Sequence, residues 1–189
     1  MLLKKQLRCQ MQERRLKLDP IDRQQYSQQV TERVISSRFF QNAQKIALYS
    51  ACRGEVSTHQ ILAQALQQHK SCYLPVLMNA HLCFAKIDSH SQLTENSYGI
   101  LEPDLTISHI IPPENLDLVL VPLVAFDQHC HRLGMGKGFY DKTFSFHGIP
   151  KHPKLVGLAY DFQKVVHLPR TKLDIKLDFI VTEKRIYFQ

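Results

Sequence analysis

At 189 residues, 44% of them hydrophobic, the chain can close one sizeable core and is short for two, which predicts a single domain over residues 1–189. No apolar run reaches about 18 residues, and Lys4, Lys5 and Arg8 introduce charge too early for a signal-peptide core. That argues against a membrane span and a secretory leader and makes a cytoplasmic location the expectation. The formal charge of +7 suits nucleic acid, an anionic surface or a small polyanion, and does not choose among them.

Leu3, Leu7, Met11 and Leu18 recur close to helical spacing, predicting an amphipathic first helix whose other face is basic through Lys4, Lys5, Arg8, Arg14, Arg15 and Lys17. No aromatic residue interleaves that basic run, which weakens a single-strand-binding reading that needs stacking platforms. Asp19-Pro20 is an N-cap followed by proline at the first helical position, so a second helix begins there with Ile21, Val30 and Val34 as its apolar face. Lys45–Ser50 reads as a buried strand, Ser57–His69 as the helix after it, Ser71–Leu77 as the next strand and His81–Ile87 as a third. Pro103, Pro112 and Pro113 predict an irregular connection from Ser97 to Glu114, the kind of loop that carries binding groups. Leu116–Phe126, with Leu118-Val119-Leu120-Val121 at its centre, is the most apolar strand. A glycine-rich turn follows it, then a helix over Gly138–Phe146, a strand over Lys154–Tyr160 and short strands at Phe179–Thr182 and Arg185–Phe188. Strands alternating with helices predict an α/β fold: a three-layer α/β/α sandwich around a Rossmann-like, mostly parallel sheet.

Gly134, Gly136 and Gly138 occupy alternate positions directly after the strongest strand and before a helix. Without side chains in the way, backbone N–H groups there can converge on phosphate oxygens. Arg132 and Lys137 can add full charges, and Asp141 can ligate a magnesium ion bridging the phosphates. The pattern lacks the Gly-Lys-Ser/Thr ending of a P-loop and the glycine spacing of the dinucleotide fingerprint. Read alone, it also fits a tight strand-to-helix turn with no ligand. The five cysteines, Cys9, Cys52, Cys72, Cys83 and Cys130, are odd in number and never form a Cys-x-x-Cys pair, so they read as reduced packing thiols. His129-x-His131, on a loop, is weak as a transition-metal site.

Val121–Asp127, followed by Arg132-Leu133-Gly134-Met135-Gly136-Lys137-Gly138-Phe139-Tyr140-Asp141, resembles the signature of the 5-formyltetrahydrofolate cyclo-ligase family, also called methenyltetrahydrofolate synthetases. Lys4–Arg8, Glu55–Thr58, Ile100–Pro103 and Asp174–Glu183 are similar, in order and spacing, to further blocks of that family. The sequence departs from the family pattern at Leu123, at Cys130-His131, at Phe139 and at Leu173.

The resemblance implies an enzyme that uses ATP and Mg2+ to convert 5-formyltetrahydrofolate into 5,10-methenyltetrahydrofolate, ADP and phosphate. It assigns ATP binding to Lys4, Lys5, Gln6, Leu7 and Arg8 and to Arg132, Leu133, Gly134, Met135, Gly136, Lys137, Gly138, Phe139 and Tyr140. Arg132, Lys137 and Tyr140 are the expected catalytic groups, and Asp141 and Asp174 the expected magnesium ligands. Folate contacts are expected at Ser50, Glu55, Glu102 and the Met135–Phe139 segment. The expected partner is a reduced folate, with or without a polyglutamate tail, acting on a monomer without nucleic acid or membrane. Two alternatives stand beside this reading: a basic RNA-binding module without catalysis, and a phosphosugar isomerase-like enzyme on the same fold.

Overall fold

The computed structural model describes residues 2–79, 81–96, 99–104, 109–146 and 153–188. Three helices open the chain: α1 (Leu2–Leu16), α2 (Pro20–Ile35) and α3 (Arg38–Asn42). The predicted cap is present, with the Asp19 carboxylate accepting the Ile21 N–H at 2.8 Å. Val30 and Val34 of α2 are fully buried, but Ile21 is 76% exposed. At 100° per residue, position 21 lies on the opposite side of the helix from position 30, so Ile21 cannot share that face. The second correction concerns α1. Arg15, read as part of the basic face, is 1% exposed, because it continues the stripe of Leu7 and Met11 at four-residue spacing.

The strands and later helices are β1 (Lys45–Ala47), α4 (His59–Gln67), β2 (Ser71–Met78), β3 (His81–Ile87), β4 (Leu93–Glu95), β5 (Leu101–Pro103), β6 (Ile110–Ile111), β7 (Leu118–Pro122), β8 (Ala125–Phe126), β9 (Arg132–Leu133), α5 (Phe139–Thr143), β10 (Lys154–Leu158), β11 (Phe179–Val181) and β12 (Ile186–Phe188). Eight of them form one sheet in the order β12-β11-β10-β7-β1-β2-β3-β6. Its centre, from β11 to β2, is parallel, and antiparallel neighbours close both sides. On one face α2, α3 and α4 pack Val34, Phe40 and Ile61 against Ile46, Leu118 and Val156 of the sheet. The other face buries Ala47, Val119, Val121 and Leu155 beneath Phe144, Leu177 and Cys130, so that cover is α5 and loops rather than long helices.

Several predicted boundaries shift for identifiable reasons. The long strand over Leu116–Phe126 divides at Pro122, which has no N–H to extend a ladder. The chain then turns, and β8 pairs with β9 in a separate hairpin. The connection from Ser97 to Glu114 is not wholly irregular: β5 pairs with β4, β6 joins the main sheet, and Pro113–Asn115 is a 3-10 turn. Pro103 is tolerated because it ends a strand of a two-stranded sheet. Residues 97, 98 and 105–108 of that segment lie outside the described ones. The helix expected over Gly138–Phe146 contracts to the five residues of α5.

The hairpin turn between β8 and β9 contains Cys130 at φ 60°, a left-handed conformation that costs a non-glycine residue about 1 kcal/mol. Asp127 offsets it. The Asp127 carboxylate, with the residue fully buried, accepts the backbone N–H groups of His129 at 3.0 Å and His131 at 3.2 Å and the His131 Nδ1 at 3.0 Å. The Cys130 side chain meanwhile packs into the core of the loop-covered face, and burial pushes its thiol up to about 11.

Candidate active site

At the C-terminal ends of the parallel strands, where an open α/β sheet leaves its crevice, a cavity of about 540 Å³ opens between α1, the glycine loop and the β4–β5 hairpin. Its wall includes Lys4, Arg8, Ser50, Glu55, Glu102, Asp174 and the whole stretch from Arg132 to Asp141. The structure therefore brings together residues from five separate blocks of sequence. Lys5 and Gln6 are exposed and stand outside this wall, while Leu7 turns away to pack with Met11, Val124 and Leu133.

Among the described residues, no hydrogen bond uses the backbone N–H of Gly134, Met135, Gly136, Lys137 or Gly138. A continuous row of open donors is what an anion-binding loop requires. Gly136 adopts φ +99°, and a Cβ there would lie 3.2 Å from the Arg8 Cζ, so glycine is needed both for the backbone conformation and for the approach of the guanidinium. Arg8 Nε donates to the Gly134 carbonyl at 2.8 Å, which clamps α1 onto the loop. Gly138, at φ +70°, starts α5. Because that helix has five residues, its dipole is weak, and an anion at the loop would meet chiefly the N–H groups and the cations.

Arg132 anchors the same rim from the start of the glycine loop. Its NH2 donates to Asp141 Oδ1 at 2.9 Å and its NH1 to the Ile175 carbonyl at 3.0 Å, while the Ile175 N–H also reaches Asp141 Oδ1 at 3.0 Å. The guanidinium thus ties the glycine loop to the segment bearing Asp174. Asp174 Oδ2 in turn accepts Lys4 Nζ at 2.9 Å and the Thr171 N–H at 2.7 Å. Burial pushes the Asp174 carboxyl up, but the Lys4 ammonium and the Thr171 N–H outweigh it and hold the group below its ordinary value. No protein hydrogen bond reaches Oδ2 of Asp141 or Oδ1 of Asp174 among the described residues. No group of three or more His, Cys, Asp or Glu is placed to hold a metal among those residues. Asp141 and Asp174 are carboxylates of the kind that Mg2+ accepts alongside waters and phosphate oxygens.

Glu55 marks the other half of the cavity. Cys52–Glu55 form a tight turn closed by the Glu55 N–H on the Cys52 carbonyl at 3.0 Å, with Arg53 and Gly54 both left-handed at φ 48° and 73°. Glu55 Oε2 accepts the Cys52 N–H at 3.2 Å, and Oε1 takes no hydrogen bond. Burial raises the carboxyl from its ordinary value, and the Arg15 charge opposes that rise. Tyr140, stacked on Phe144, is pushed up chiefly by burial and further by Glu55, so its hydroxyl stays protonated. On the hairpin side, Asn96 Nδ2 donates to Glu102 Oε1 at 2.7 Å.

The model of the 5-formyltetrahydrofolate cyclo-ligase family matches residues 2–183. The chain belongs to that family. It is 36% identical over 183 residues to the 5-formyltetrahydrofolate cyclo-ligase of Haemophilus influenzae, an alignment covering 92% of this chain and 94% of that protein. Against the Escherichia coli K12 enzyme of the same name it is 34% identical over 181 residues, covering 94% and 98%. The NMR structure of Aquifex aeolicus 5,10-methenyltetrahydrofolate synthetase superposes with a TM-score of 0.86 at 33% identity, covering 98% of this chain and 92% of that one.

Family membership makes the chain a cyclo-ligase rather than a module without catalysis or an isomerase-like enzyme. No described helix is long and apolar enough to cross a membrane. Arg15 is the site-adjacent residue that the sequence reading missed. Its four-residue spacing from Met11 puts it in the apolar stripe, but a charged side chain there reads as surface from the sequence alone. His131, weak as a metal ligand by its spacing, has both ring nitrogens engaged, with Asp127 at 3.0 Å and Arg170 at 3.1 Å.

Proposed function

We propose that this cavity carries out the reaction of its family, the ATP-dependent conversion of 5-formyltetrahydrofolate to 5,10-methenyltetrahydrofolate with release of ADP and phosphate. The observation that carries the reading is that Gly134 to Gly138, whose N–H groups take no hydrogen bond among the described residues, line the same cavity as the largely buried acid Glu55. A phosphate cradle and an acceptor for a heterocycle's N–H groups are the two halves that such a reaction needs.

A formamide oxygen is a poor leaving group, which is why ATP is required. In the proposed sequence that oxygen attacks the γ-phosphorus. An O–P bond forms while the bond from phosphorus to the bridging oxygen breaks, and ADP departs. The neighbouring folate nitrogen then adds to the activated carbon and gives up its proton. The C–O bond breaks with phosphate as the leaving group, giving the bridged methenyl cation. The protein's contribution is position and charge stabilisation.

Lys4, Arg8 and the loop from Arg132 to Tyr140 are assigned to the nucleotide, with Lys137 and the protonated Tyr140 hydroxyl facing the transferring phosphoryl group. Arg132 acts there with its remaining N–H groups while it braces Asp141. Asp141 and Asp174 would hold Mg2+ through their open oxygens, and the ion would supply charge neutralisation on the phosphates. Glu55, Ser50, Glu102 and the Met135–Phe139 segment are assigned to the folate. Lys5, Gln6 and Leu7 have no part in this assignment. We read the enzyme as one domain and one subunit acting on small molecules, the folate with or without its polyglutamate tail.

Purified protein given 5-formyltetrahydrofolate, ATP and Mg2+ forms the methenyl chromophore at a rate proportional to enzyme. No chromophore, beside an active control enzyme, overturns the assignment. Mg2+ is tested separately: chelation abolishes turnover and added Mg2+ restores it.

A further inference from the structure

Arg15 is the largest fully buried side chain among the described residues, and it is not among the residues that line the cavity. Its Nε donates to the Arg53 carbonyl at 3.0 Å and its NH1 to the Leu123 carbonyl at 3.3 Å. NH2 is buried, makes no hydrogen bond, and stands 3.7 Å from Glu55 Oε1. A buried guanidinium with one arm unpaired is costly to keep. Packing alone would be served by the Leu or Met that the neighbouring stripe positions carry.

We propose that Arg15 is a positioning residue for the folate half of the reaction. Its guanidinium holds the Cys52–Glu55 turn in place and sets a full charge opposite Glu55 Oε1 without occupying that oxygen's lone pairs. The inference rests on the reading of Glu55 as the folate contact. The turn needs such a brace. Arg53, whose carbonyl Arg15 grips, is a non-glycine residue at φ 48°, and Gly54 presses so closely on α1 that a Cβ would lie 3.2 Å from the Arg15 carbonyl. Tyr160 supports the same turn from the far side, its hydroxyl donating to the Glu55 carbonyl at 3.3 Å.

Charge is the second half of the argument. The groups facing the Glu55 carboxylate are Arg15 from α1, the Cys52 N–H and thiol and Arg53 from its own turn, Tyr49 beyond β1 and Tyr140 of α5. Burial favours the neutral acid, which is a poorer acceptor for a heterocycle's N–H groups. Arg15 is the strongest group opposing that effect. Glu55 Oε1 therefore lies open beside a cation that favours its charged form, with that partner too distant to compete for its lone pairs.

The test is a kinetic cycle in the intact protein, with Arg15→Met, Glu55→Gln and the double variant. Arg15→Met raises KM for 5-formyltetrahydrofolate about tenfold while KM for ATP stays within about twofold. Loss of the cation raises the Glu55 pKa, so the acid limb of kcat/KM for the folate moves up by about one pH unit. Added to Glu55→Gln, the Arg15→Met change has no further effect on the folate KM. Parallel losses in both substrates without movement of the acid limb, or additive effects in the double variant, overturn the proposal and leave Arg15 a packing residue. An unchanged folate KM in Glu55→Gln overturns the Glu55 assignment itself and is separately visible. If Arg15→Met does not fold, the wild-type protein decides. The Glu55 carboxyl carbon, assigned by comparison with Glu55→Gln in carboxyl-labelled protein, shows an ionised group at neutral pH, and a protonated group there overturns the proposal.

Discussion

The sheet has a concavity at each end, and size does not tell which of the two is the site. The groove at the start of the parallel strands, bounded by Arg38, Phe39, Asp117, Lys154, Phe179 and Phe188, encloses about 670 Å³ against about 540 Å³ for the cavity at their far ends. The difference is in how the polar groups are used. In the groove, Asp117 Oδ2 accepts the N–H groups of Gln44 and Lys45, both at 2.8 Å, and so fixes the entry to β1. Lys154 Nζ closes on Asp178 Oδ1 at 3.0 Å, whose other oxygen takes the Leu155 N–H at 2.8 Å. These side chains serve the strand starts. At the opposite end Glu55, Asp141 and Asp174 take their hydrogen bonds through one oxygen each, in part from distant residues, in a cavity also lined by the loop whose N–H groups are unpaired. Volume does not separate a binding site from a packing groove, but unsatisfied, well-anchored polar groups do.

That comparison can be broken most sharply at Asp141. Replacing it with alanine lowers kcat on the order of a hundredfold while the circular dichroism spectrum is retained. Wild-type turnover would remove Asp141 from the machinery. Gly136→Ala comes next. The new methyl must displace the Arg8 guanidinium from a backbone at φ +99°, so KM for ATP rises about tenfold. Thermal unfolding shows an accompanying loss of about 1–2 kcal/mol. An unchanged KM would mean that the clamp of α1 on the loop has no bearing on nucleotide binding. At the other end of the sheet, Asp117→Ala leaves kcat and both KM values within about twofold and costs about 1 kcal/mol of stability, since water replaces the lost acceptor at exposed Gln44 and Lys45. A large kinetic effect there would erase the distinction between the two ends.

Much of this was legible in the chain because its signals are local. The continuous apolar run Leu118–Val121 is a central strand, Asp19-Pro20 is a helix start, and Gly134, Gly136 and Gly138 lie within a few residues of the Arg132 and Asp141 that share their rim. Glu55 and Asp174 entered through the family resemblance, since neither spacing nor composition links them to the loop. Arg15 stayed hidden because its burial is decided by partners 38, 40 and 108 positions away, Arg53, Glu55 and Leu123. A charged residue four positions beyond Met11 reads as surface until those carbonyls are seen. The division of the long strand at Pro122 and the contraction of α5 are likewise tertiary outcomes. The chain leaves the sheet there to build the β8–β9 hairpin that presents the glycine loop.

Asp127 and Asp174 provide the smallest and most discriminating comparison. Burial pushes the Asp127 carboxyl up, but the His131 ring and the N–H groups of His131 and His129 outweigh it, so the folded pKa lies below the ordinary one. Asp174 is lowered in the same net direction. For a carboxyl depressed on folding, the stability contribution is full above the unfolded pKa of about 4 and disappears as the pH falls through the folded value. Both acids therefore contribute to acid unfolding, through different architectures. Asp127 has both oxygens bonded within the fold, while Asp174 is held by a partly exposed Lys4 and the N–H of exposed Thr171, both on Oδ2. The pH dependence of unfolding free energy below about pH 5 flattens in Asp127→Asn and flattens less in Asp174→Asn. Saturating ATP and Mg2+ steepen the Asp174 contribution, because binding through its open oxygen requires the charged form, and leave that of Asp127 unchanged. If the ligands act equally on the two variants, Asp174 belongs with Asp127 as a structural acid, and the magnesium assignment falls to Asp141 alone.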